Sequence, residues 1–247
     1  MSHTLEPAKI IQTLVTLEQR ISERFPNSGL SRVCAGLIKI ARDTEARTIA
    51  IARRSPIVQL LSWSAIAVGL LLFLGLAYIV FTSTRLSDDM FSTLQGIDSG
   101  FNILVLTGAT LFFVLSIEAR LKQRQALAAL HEFRSIIHVI DMHQLTKDPS
   151  MLGQTRTSMS PDRDLTAFEL VRYLDYCSEM LSLAAKCAAL YAEKLTDPVV
   201  IDTVGDIERL ASNLSNKVWQ KITIVLAQHG SRDMPLPIPP PRTAPAA

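Results

Sequence analysis

The chain has 247 residues, 48% of them hydrophobic, and its 25 Lys and Arg against 23 Asp and Glu leave a formal charge of +2. So small a charge, with sparse aromatics that are not interleaved with basic clusters, gives no electrostatic footprint for nucleic acid. The cysteines Cys34, Cys177 and Cys187 are odd in number and form no C-x-x-C pair, which excludes a disulfide framework and predicts reduced thiols facing a cytoplasm.

Residues 6–25 carry Ile10, Leu14, Leu17 and Ile21 at three- and four-residue steps, the stripe of an amphipathic helix. Glu6, Lys9, Glu18, Arg20, Glu23 and Arg24 interrupt any apolar leader, so no cleavable signal peptide is expected there. FPNSG at 25–29 supplies turn chemistry. A second amphipathic run follows, with Leu30, Val33, Leu37 and Ile40 inward and Arg32, Lys39, Arg42 and Arg47 outward. Two helices joined by so short a turn should pack as an antiparallel hairpin, residues 1–54. Pro56, just past Arg53 and Arg54, should break or restart the helix.

Residues 55–84 contain no Asp, Glu, Lys or Arg, and 57–81 are rich in Leu, Ile, Val and Ala. About 20 apolar residues cross a bilayer, and a soluble core helix rarely stays apolar on every face for so long. This is read as a transmembrane helix that serves as its own insertion signal. A second uncharged stretch, 99–117, is nearer the minimum length and weakened by Asn102, Thr107 and Thr110. Between them, 85–98 reads as a short external loop with Arg85 against Asp88, Asp89 and Asp98. Arg42, Arg47, Arg53 and Arg54 precede the first span, and Arg120, Lys122 and Arg124 follow the second. The positive-inside rule therefore expects both termini in the cytoplasm.

Residues 118–146 contain neither Gly nor Pro and should extend the second span as one rod to about Leu145, with Leu130, Phe133, Ile136, Ile137 and Ile140 on one face. Residues 147–163 are aperiodic and rich in Ser, Thr and Pro, a flexible linker. Within 164–228 two helices are predicted. The first carries a heptad seam of Ala167, Leu170, Leu174, Cys177, Leu181, Ala184, Ala188, Tyr191 and Leu195. TDP at 196–198 breaks it, and Val200, Val204, Ile207, Ala211, Leu214 and Val218 mark the second. The tail, 229–247, with PLPIPPP, should be disordered. The fold expected is all-α: a two-helix transmembrane hairpin plus a cytoplasmic helical bundle with coiled-coil-like packing.

Candidate chemistry centres on His131, His138 and His143. At 100° per residue His131, Arg134, His138 and Asp141 share one narrow arc. His138 and Asp141, at i and i+3, are the metal-ligand candidates, though they need partners from another helix or subunit. H-E-F-R-S misses the H-E-x-x-H zinc pattern, because Ser135 stands where the second His belongs. Ala65-x-x-x-Gly69 permits close helix approach. The spans hold no ionisable residue for an ion relay, and no P-loop, G-x-S-x-G or dinucleotide fingerprint appears.

HEFRS at 131–135 resembles the H-box of sensor histidine kinases, and that resemblance implies His131 as phospho-acceptor with Glu132 as its base. Ile136 replaces the Pro usual there, and the Gly-rich ATP-binding boxes are missing, so a kinase would have to come from elsewhere. Residues 138–149 and 173–192 resemble segments of an uncharacterised family of bacterial two-span membrane proteins, which implies a bacterial inner-membrane lineage and no activity. The function expected is structural or regulatory, a scaffold or signal relay through helix–helix contacts. The expected surroundings are the lipid bilayer, further copies of the chain and a cytoplasmic protein partner, with no cofactor. The rivals are phosphotransfer through His131 and a pore-forming, membrane-perturbing two-span effector.

Overall fold

A computed structural model describes residues 4–53, 56–84, 90–147, 149 and 165–229. Every regular element among them is an α-helix: α1 (Pro7–Arg24), α2 (Gly29–Ala52), α3 (Pro56–Thr84), α4 (Met90–Leu145), α5 (Ala167–Lys194) and α6 (Pro198–His229). The tail from 230, nearly all of the linker and residues 85–89, with Asp88 and Asp89, lie outside the described residues.

Local chemistry sets the boundaries. α1, α3 and α6 each open on a proline, whose fixed φ suits the first helical position and whose missing N–H costs nothing there. Asp197 caps α6 by accepting from the Val199 and Val200 amides at 3.0 and 3.1 Å. Thr166 and Glu169 form a reciprocal capping box at the start of α5. In the α1–α2 turn the left-handed residue is Asn27, at φ 57°, a conformation Asn tolerates better than most. Gly29 is the first residue of α2, where a Cβ would stand 2.5 Å from Cε1 of His143. Its value is close approach rather than turn geometry.

α3 and the first half of α4 lie against each other, as α1 and α2 do. The described parts of α3 and α4 are long and apolar enough to cross a membrane. Many of their large side chains are exposed, among them Trp63, Leu71, Leu104 and Phe112. At Gly69 the helices meet so closely that a Cβ would come within 2.5 Å of the Thr107 side chain. α4 then continues without a break, 56 residues in all. It starts at Met90, so residues 90–98, expected as loop, are helical. They include no proline to stop the helix.

Beyond the hairpin, α1, α2, the second half of α4, α5 and α6 form a bundle around one core. α5 sits at its centre, touching α1, α2, α4 and α6. It therefore buries more than a narrow seam: Tyr173, Tyr176, Met180, Cys187 and Leu190 are buried beside the expected heptad positions. The α6 positions expected inward are all buried, and Ile222 and Val225 extend the stripe. In α4, Leu130, Phe133, Ile137 and Ile140 are fully buried and Ile136 is half-buried.

Candidate functional site

The second half of α4 presents two sides. Its inner side joins the core, and its side toward α2 carries the ion pair that ties the two helices. Arg47 Nη1 donates to Glu132 Oε1 at 2.8 Å, with both side chains about two-fifths exposed. Arg47, expected on the outward side of α2, is drawn across the helix contact by Glu132, which raises the guanidinium above its ordinary value, chiefly through that hydrogen bond.

Beneath this pair lies a buried polar layer. Thr44 and Thr48 sit on the inward stripe of α2, buried, each returning its hydroxyl to a backbone carbonyl one turn earlier. Tyr191 of α5 reaches the same layer, its buried hydroxyl beside Thr44 and Arg47. Burial, first, holds that phenol above its usual range, and the neighbouring Thr44 and Arg47 oppose it. The signal was in the sequence: the α2 stripe of Leu37 and Ala41 runs on through Thr44, Thr48 and Ile51 at helical spacing.

Beside the ion pair, α2 and α4 flank an open groove of about 430 Å³, lined by Ile40, Ile136 and Val139 and by Ala128, His131, Glu132 and Ser135. His131, Arg134 and His138 are exposed on α4, as their common arc predicts. His131 and Glu132 both line the groove, and the Glu132 carboxylate is engaged by Arg47. Asp141 accepts from Gln144 Nε2 rather than facing a second ligand set. Among the described residues no group of three or more His, Cys, Asp and Glu side chains could hold a metal. His143 lies against Gly29 with its Nδ1 3.5 Å from the Tyr173 hydroxyl, at the far end of the bundle.

The three thiols are free and buried, and burial pushes each of them up to about 12. Thiols held protonated in this way are packing groups, inert as nucleophiles. A second cleft, about 290 Å³, lies where α3 meets α4, between Gln59, Ser62 and Trp63 on one side and Leu111, Leu115 and Glu118 on the other. Glu118 is bridged to Lys122 at 3.0 Å. The Asp98 carboxylate accepts from Asn102 Nδ2 at 3.4 Å on the α4 helix.

Together these features define an all-helical protein with two candidate membrane-spanning helices and a groove-bearing bundle. No family profile, curated protein or solved structure matches the chain.

Proposed function

We propose that this chain is an integral protein of a bacterial inner membrane, inserted as a hairpin with both termini in the cytoplasm. There the bundle acts as a scaffold or signal relay through helix–helix contacts with further copies and a cytoplasmic partner. The observation that carries this reading is the continuity of α4. It is one helix of 56 residues, about 84 Å at 1.5 Å per residue, with an all-round apolar first half and a one-sided second half. A helix without a break passes a tilt or rotation of the span to Phe133, Ile137 and Ile140 in the core. The basic flanks at Arg53 and at Arg120, Lys122 and Arg124 favour the inward orientation.

Two measurements test the reading. A reporter fused after Ala247 should be cytoplasmic. Crosslinking with mass spectrometry in native membranes should join bundle residues to other chains. A periplasmic reporter overturns the topology, and crosslinks confined within single chains overturn the interaction role.

A further inference from the structure

Resting on that interaction reading, we propose that the α2–α4 groove seats an acidic amphipathic helix of a separate protein. The floor of Ile40, Ile136 and Val139 is apolar and open to solvent. On α4 it is prolonged by exposed Leu121 and Met142, which share a line with Ala128 and Ser135 at seven-residue steps. That line measures about 32 Å from Leu121 to Met142, roughly six turns of helix, a length a docked helix matches.

Charge selects the occupant. Arg32 and Lys39 are exposed on α2, eight and one residues before Ile40, and Arg124 is exposed on α4, four residues before Ala128, while His131 lines the groove itself. The carboxylates within reach, Asp43 and Glu132, both lie beside the Arg47 guanidinium. The rims therefore keep a positive excess that an apolar stripe flanked by Glu or Asp would complement. The remaining occupants fit less well. A second copy meeting groove to groove would set Lys39 and Arg124 against their like. The chain's own tail carries Arg232 and Arg242 against Asp233, and its PLPIPPP run cannot form an amphipathic helix. Lipid reaches only the Leu121 end of the line, about 6 Å along α4 beyond Ile117, where the apolar stretch ends; Ala128 stands about 16 Å and Val139 about 33 Å beyond it.

The test uses the full chain in nanodiscs and a fluorescein-labelled synthetic helix with Leu and Ile on one face and Glu on its flanks. A control peptide carries Lys in place of Glu. Fluorescence anisotropy should show the acidic peptide binding at least about tenfold more tightly, with affinity falling as salt rises. Ala128→Trp, which fills the groove from an exposed position, should weaken it by about tenfold or more. Lys39→Glu with Arg124→Glu should reverse the preference between the peptides, a readout that loss of folding cannot produce. Equal binding of both peptides, or indifference to these variants, overturns the proposal. So does a photocrosslinker at Val139 that captures a second copy. In native membranes, interchain crosslinks that avoid Val139 would remove the groove and leave the interaction reading standing; the absence of all interchain crosslinks would remove both.

Discussion

α4 runs through two regions built on opposite rules. In its first half Leu104, Leu106 and Phe112 are 65%, 70% and 74% exposed, whereas in its second half Leu130, Phe133 and Ile137 are at 0%. Both halves are rich in large apolar side chains; what differs is their distribution around the axis. A stripe on one face asks for a protein neighbour, and the bundle supplies it. An apolar surface on all faces asks for a surrounding solvent, and α3, its neighbour among the described residues, covers little of it. The two regions are consequently held by different forces. The bundle gains from removing apolar surface from water; in the membrane setting proposed above, the hairpin would gain little that way and would depend on close packing, as at Gly69 against Thr107.

The sharpest test of this contrast uses one residue type on one helix. Phe133→Ala should cost the bundle about 3–5 kcal/mol, through lost transfer energy and the cavity left behind. Phe112→Ala should cost less than about 0.5 kcal/mol, because its ring leaves no protein cavity. Denaturant titration in detergent micelles, followed by far-ultraviolet circular dichroism, reads both. Comparable losses at the two positions would break the distinction between the halves.

A second, smaller effect tests the packing rule inside the hairpin. Gly69→Leu should separate α3 from α4 and cost about 1–3 kcal/mol, as overpacking does. Gly108→Leu, where no heavy atom outside the local backbone lies within 4 Å of an added Cβ, should be tolerated. With Trp219 replaced by Phe, Trp63 remains as the single tryptophan and its fluorescence follows the hairpin's thermal transition. Equal shifts from both glycine variants would show that the close approach at Gly69 contributes nothing.

The α5 capping box is weaker still. Thr166→Ala removes the acceptor for the Glu169 amide, 3.2 Å away, and should cost about 1 kcal/mol. Hydrogen bonds from the Thr166 backbone, then its side chain, hold the Glu169 carboxyl below its ordinary 4.5. A depressed folded value means the box contributes fully above about pH 4.5 and fades as pH falls through the lower folded value. The difference in Tm between wild type and Thr166→Ala should therefore shrink on acidification below that point. A difference that stays constant would separate the cap from the carboxylate.

Much of the fold could be read along the chain because its breakers and stripes agree. Pro56 and TDP at 196–198 end or begin helices where expected, and Ile10, Leu14, Leu17 and Ile21 are buried together. What escaped depended on neighbours rather than on spacing. The width of the α5 face follows from the four helices around it, which no periodicity within α5 can reveal. The early start of α4 escaped because acidic and small residues at 85–98 read as loop, although residues 90–98 lack a proline. The candidate site was half legible. The exposed arc of His131, Arg134 and His138 followed from helical geometry, while the groove and the Arg47–Glu132 bond required knowing that α2 lies beside α4.

That bond is where the smallest effect is expected. With both side chains about two-fifths exposed, water screens the pair, so Glu132→Gln should cost no more than about 1 kcal/mol and less at high salt. Arg47→Ala should cost somewhat more, because its guanidinium also acts on the buried Tyr191 hydroxyl. Denaturation midpoints of both single variants and the double variant, at low and high salt, give the coupling directly. A coupling above about 2 kcal/mol that ignores salt would mean the pair is desolvated. The α2–α4 edge would then belong to the bundle core, and the boundary between core and open groove would have to be redrawn.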